Sequence, residues 1–110
     1  MPKIVDVESC PISIFIAGSP ALAKEAAQRY CDQIGLCVTV TETEYVYTGG
    51  SEKGVVIGLI NYPRFPKTED ELFDRACDLG DWMLHALDQQ SYSIQTPTKT
   101  RWVSHRPEDT

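Results

Sequence analysis

Residues 10–35 read CPISIFIAGSPALAKEAAQRYCDQIG, and the apolar period changes in the middle of that stretch. From Cys10 to Ala17, Ile12, Ile14 and Ile16 alternate with Ser13, Phe15 and Ala17, the two-residue repeat of a β-strand. Apolar residues on both faces predict a central strand covered on both sides, ended by Gly18. Ser19 is then a good N-cap, and Pro20 takes the first helical position, where its missing N–H costs nothing. Ala23, Ala26, Ala27, Tyr30, Cys31 and Ile34 follow helical spacing, with Lys24, Glu25, Gln28, Arg29, Asp32 and Gln33 opposite. Gly35 is placed to be a left-handed C-terminal cap. The small alanines let the helix approach a sheet closely.

Outward from this β-α unit, Leu36 to Thr48 reads as a long second strand. Leu36, Val38 and Val40 face the helix layer, while Thr39, Thr41, Thr43, Tyr45 and Tyr47 line the other face. Glu42 and Glu44 then fall on the helix side, which predicts that the strand bulges or leaves the helix layer there. Thr48 to Gly54 reads as the hairpin turn, because its glycines can take positive φ. Val55 to Tyr62 returns as a second central strand. Asn61-Tyr62-Pro63-Arg64-Phe65-Pro66 is a rigid connection whose prolines bar helix and ladder alike. Thr68 and Glu71 form a capping box, and the helix they open runs to about Gln89 on Leu72, Phe73, Ala76, Leu79, Gly80, Met83, Leu84 and Leu87. Ser91 to Gln95 is the last strand of the motif, and Thr100 to Ser104 an extra edge strand.

The order is βαββαβ, the ferredoxin-like α+β arrangement with two helices on one face of an antiparallel sheet. The chain is read as a single domain over 1–110, with loosely ordered ends at 1–9 and 105–110. The other sheet face is left open, and it holds Phe15, Tyr45, Tyr47 and half of the strand from Val55. A contiguous apolar face of this kind marks an interface and predicts a homo-oligomer.

Composition narrows function mainly by exclusion. The 110 residues are 42% hydrophobic and 24% charged, as expected of a folded globule. Sixteen acids against ten bases give a net charge of −6, which disfavours nucleic acid, whose phosphates call for a basic stripe. An RNA-recognition motif would also carry aromatics in its third strand, where this chain has Gly54-Val55-Val56-Ile57-Gly58-Leu59. No apolar run approaches the ~20 residues of a membrane span. Met1 to Ser9 has no apolar core of a secretory signal, so the expected location is the cytoplasm. Cys10, Cys31, Cys37 and Cys77 are accordingly expected to be buried or half-buried free thiols.

Candidate sites are few. Gly18-Ser19-Pro20 lacks the glycines and lysine of a phosphate loop and reads as ordinary capping. A ligand cleft between it and the Gly49-Gly50 turn competes with a plain flexible turn. Glu42 and Glu44 share a strand face but resemble solvated acids more than an acid–base pair. His85 and His105 have no partner at metal-ligand spacing, so neither a metal nor a cofactor nor a catalytic residue is assigned. The loop from Asn61 combines aromatic rings, an arginine and conformational locks, features of a recognition surface. Tyr45, Tyr47, Asn61, Tyr62, Arg64 and Phe65 are therefore the expected ligand- or partner-binding residues. The leading expectation is a small, soluble, non-enzymatic binding or regulatory module, engaging a protein or small molecule. A short, acidic, motif-poor chain is also the form a virus-encoded inhibitor of a host factor takes. The alternative is a small cofactor-free enzyme of the dimeric α+β-barrel type with its cavity on the open sheet face.

Overall fold

In the computed structural model, which describes residues 1–109, both helices begin and end where local side-chain chemistry directs. The first, α1, spans Pro20–Ile34. Ser19 Oγ accepts the Leu22 N–H at 3.3 Å, and Gly35 closes the helix in the left-handed region, its N–H donating to Cys31 O at 2.8 Å. The second, α2, spans Glu69–Ala86. Its capping box is complete: Glu71 N–H donates to Thr68 Oγ1 at 3.1 Å and Thr68 N–H to Glu71 Oε1 at 3.0 Å, two orphan donors satisfied reciprocally.

The strands are β1 (Ile12–Ala17), β2 (Thr39–Tyr47), β3 (Gly50–Leu59), β4 (Ser91–Gln95) and β5 (Thr100–Ser104). They form one antiparallel sheet in the order β2-β3-β1-β4-β5, with both helices on one face. This is the expected ferredoxin-like arrangement, extended by the edge strand β5. The register aligns Val40, Ile57, Ile14 and Ile94 in one row across the sheet, and the last three of these are fully buried beneath the helices.

The helices are joined by polar as well as apolar contacts. Trp82 Nε1 donates to Ala26 O at 2.9 Å, and the Trp82 ring meets Tyr30 edge-on. Tyr30 O–H donates to Asp78 Oδ2 at 2.6 Å and accepts from Arg75 at 3.3 Å. Burial, and then the bond to Asp78, push this phenol up to about 12. Tyr92, on β4, lies against the glycine of α2: a Cβ on Gly80 would come 2.4 Å from the Tyr92 ring.

Several boundaries differ from expectation, each for a local reason. The first strand starts at Ile12 rather than Cys10, because Pro11 has no N–H for the ladder; Cys10 is nevertheless buried. The second strand starts at Thr39 rather than Leu36, and Leu36 and Val38 pack against the core from the connection before it. The hairpin turn is Thr48-Gly49 alone, with Gly49 at φ 87°, so Ser51 to Gly54 are ladder, paired with Val46 to Thr43. No bulge interrupts that ladder. Glu42 pairs with the buried Val55 and is exposed because β2 is the sheet edge, where it shares a hollow with Pro20, Lys24 and Gln28 of α1; Glu44 pairs with the exposed Lys53 farther along the hairpin.

α2 stops three residues short of Gln89. Leu84 O accepts from Gln89 N–H and His85 O from Asp88 N–H, with Asp88 at φ 53°. This is a Schellman closure with aspartate in the glycine position. The tail, expected to be loose, makes a 3-10 turn at Pro107–Asp109, while Thr110 lies outside the described residues. Residues 1–9 carry no helix or strand. The cysteines are free, but Cys37 is exposed rather than half-buried.

Candidate functional site

The face of the sheet away from the helices is built mostly of small or polar residues. One cross-strand row reads Thr41, Val56, Phe15, Ser93, Trp102; the next begins Thr43, Gly54, Ala17. The small residues of the second row leave a hollow of about 350 Å³ between two higher walls. On one side stand Tyr45 and Glu52, a cross-strand pair near the outer part of the hairpin. On the other stand Trp102, from β5, and Arg106 just beyond it, with Phe15 and Ser93 between the two walls.

Tyr45 is seated by the absence of a side chain beneath it. A Cβ on Gly54 would lie 2.4 Å from the Tyr45 ring and 2.6 Å from Ile16 O, so the ring covers the glycine. Its O–H donates to Val55 O at 2.6 Å. Burial raises its pKa, so Tyr45 is a neutral phenol at physiological pH. Among the described residues neither the Glu52 carboxylate nor the Arg106 guanidinium makes an ion pair. The hollow therefore presents the rings of Phe15, Tyr45 and Trp102, one anion and one cation to whatever enters it.

The expected site residues divide between two places. Tyr45 lines this hollow, and Tyr47 shares its face at the hairpin tip, half-exposed beside Gly50. Asn61, Tyr62, Arg64 and Phe65 lie at the opposite end of the sheet, where β3 leaves toward α2. There Tyr62 O–H donates to Cys37 Sγ at 3.3 Å; that bond first, then partial burial, push its phenol up to about 12. Glu42 and Glu44 alternate with Tyr45 and so fall on the helix side, away from the hollow.

Glu52, Trp102 and Arg106 escaped the sequence reading. Glu52 sits in what reads as a turn, and the other two reach the site only because β5 adds beyond β4. The histidines do have neighbours: His85 and His105 meet edge-on, and His105 Nε2 lies 3.5 Å from Asp81 Oδ1. No group of three metal-ligating side chains occurs among the described residues. Among them, too, no helix is long and apolar enough to cross a membrane.

No protein-family model matches the sequence, and no curated protein matches it. Two solved structures share its fold over nearly the whole of both chains. A phage SAM lyase in complex with S-methyl-5'-thioadenosine superposes with a TM-score of 0.66 at 10% identity, covering 94% of this chain and 95% of that one. A phage SAM lyase in the apo state gives a TM-score of 0.59 at 19% identity, covering 87% of each. At these identities the likeness establishes the shared fold. It also corrects the leading expectation from sequence: both of these solved chains are lyases, one with S-methyl-5'-thioadenosine bound. The non-enzymatic module, including the inhibitor of a host factor, is set aside on this finding, which favours the alternative of a small enzyme.

Proposed function

We propose that this chain is a small lyase acting on S-adenosylmethionine (SAM), which it holds on the open sheet face and cleaves to S-methyl-5'-thioadenosine. The observation that carries the reading is the match of fold, end to end, with the two phage lyases. The hollow has chemistry suited to such a substrate. Its sulfonium is a cation, and cations are attracted to the faces of tyrosine and tryptophan; Tyr45 and Trp102 stand on opposite walls. The Glu52 carboxylate suits the substrate's positive groups, and the Arg106 guanidinium suits its carboxylate, with which it can pair bidentately.

Releasing methylthioadenosine requires that the bond from sulfur to the four-carbon fragment breaks with its electron pair on sulfur. The sulfonium becomes a neutral thioether. The four-carbon fragment balances by losing a proton or by closing on its own carboxylate, and neither course needs a redox partner. Because positive charge leaves sulfur in the transition state, displacing water from the hollow as substrate binds favours the step relative to bulk solvent. The neutral phenol of Tyr45 supplies a dipole there without a competing charge.

The reading includes self-association: the hollow is open on one side, and Trp102 beside it is 56% exposed, so a second copy would complete its wall. A SAM-consuming enzyme of this kind acts in the cytoplasm, where its substrate is. The test is incubation of the purified protein with SAM, with thioadenosine followed by mass spectrometry. Release of S-methyl-5'-thioadenosine, abolished or lowered at least a hundredfold in Glu52→Gln, is expected. Absence of both turnover and SAM binding at millimolar substrate would remove the proposal.

A further inference from the structure

A second hollow lies at the other end of the molecule, well away from Tyr45. It measures about 560 Å³, within the ~300–1,000 Å³ range of small-molecule sites. Its floor is apolar: Leu36, Ile60 and Leu72. Its wall is Phe65, a large aromatic side chain left 65% exposed. Two cations, Arg64 and Lys67, complete the rim. We infer that this groove is a binding site for an amphipathic anion, a carboxylate or similar head group on an apolar body.

Three observations support that assignment. The first is charge. In a chain of net charge −6, neither Arg64 nor Lys67 makes an ion pair among the described residues. The acid that feels Lys67, Glu71, is held by the Thr68 capping box. Arg64 instead lies over the Phe65 ring, its guanidinium carbon 5.5 Å from the centroid. The rim cations are thus free to meet an anion, and a charge-assisted hydrogen bond is about twice as strong as a neutral one.

The second observation is apolarity. Burying an alkyl or aryl body against Leu36, Ile60, Leu72 and Phe65 removes apolar surface from water on both partners. The third is rigidity. Asn61 Oδ1 accepts the Lys67 N–H at 2.9 Å, and Phe65 N–H donates to Tyr62 O at 2.9 Å. Tyr62 also ties the loop across to Cys37, and Pro63 and Pro66 fix two further φ angles. A groove held open this way loses little entropy on binding. An uncharged ligand of the same shape would gain the apolar contact alone, and a cationic one would be repelled by the rim.

Decanoate, decanol and decylammonium, compared by isothermal titration calorimetry below their micelle concentrations, test the assignment. Decanoate is expected to bind saturably, at least tenfold tighter than decanol, with decylammonium weakest. Arg64→Ala with Lys67→Ala should erase the difference between decanoate and decanol, and Phe65→Ala should weaken both alike. All three side chains are exposed, so the variants are expected to fold. Equal affinity for decanoate and decylammonium, decanoate binding unchanged in the double variant, or displacement of decanoate by SAM from the open face would each overturn the inference. So would concentration-dependent self-association that occupies the groove and that decanoate does not reverse.

Discussion

Replacing Gly80 by alanine should destabilise this protein, although helix propensity alone says the reverse. In an exposed helix the change would gain about 1 kcal/mol. Here the new Cβ would lie 2.4 Å from Tyr92 Cε2, 2.7 Å from Cζ and 2.9 Å from Cδ2. Ordinary contact begins near 3.4 Å, so the ring must retreat by roughly 1 Å. Tyr92 is 3% exposed and anchored: its O–H donates to Asp81 Oδ1 at 2.6 Å, with Cys77 O 3.2 Å away. Overpacking of this kind costs about 1–3 kcal/mol, and a weakened bond to a carboxylate adds up to ~1.5 kcal/mol. Set against the propensity gain, the net loss is about 2 kcal/mol, or a fall of about 8 °C in Tm for a domain of this size.

The assay is urea unfolding followed by tryptophan fluorescence, with a double-mutant cycle as control. In a Tyr92→Leu background the ring is gone, and Gly80→Ala should be neutral or stabilising. An equal loss in both backgrounds, or a gain in the parent, would refute the reasoning that the glycine is there for the tyrosine.

Gly54→Ala should cost more, about 3 kcal/mol, because the obstacles include backbone, Ile16 O at 2.6 Å and Ala17 Cα at 2.9 Å; under the proposed function the folded fraction should also lose SAM turnover as Tyr45 is displaced, which calorimetry and mass spectrometry check together. Asp88→Gly should stabilise by about 0.5–1 kcal/mol, since the residue sits at φ 53°, where a side chain is strained and glycine is not; thermal unfolding reads the gain. Tyr30 titrates at about 12 in the fold against 10.0 unperturbed. Between those values the unfolded chain loses its proton first, so the contribution is fully present below pH 10.0 and disappears as pH rises through about 12. The stability advantage of the parent over Tyr30→Phe should therefore shrink across that window, and a constant difference would count against a phenol raised by burial first and the Asp78 bond second.

The parts of the fold that could be read from sequence are those whose cause is local. Ser19-Pro20 with Gly35, and Thr68 with Glu71, settle the ends of helices through groups within four residues of one another, and each works in the structure as its spacing indicates. Ile12, Ile14 and Ile16 mark β1 because a covered strand carries its burial in its own period. That signal disappears where burial stops. From Ser51 to Lys53, β3 runs beyond the helices, so nothing apolar distinguishes it from a turn, and four glycines between 49 and 58 offer several places for the chain to reverse. Misplacing the reversal by a few residues hides the pairing of Tyr45 with Glu52, because register fixes which side chains share a face. The same reasoning explains Asp88, which closes α2 without the glycine that would announce it, and Trp102 and Arg106, which approach Tyr45 only across four intervening strand pairings. A site assembled from one residue per strand leaves no spacing motif behind. The absence of a motif in this chain was therefore weak evidence against an enzyme, and the open sheet face, which followed from counting helices, is where the proposed function puts its substrate.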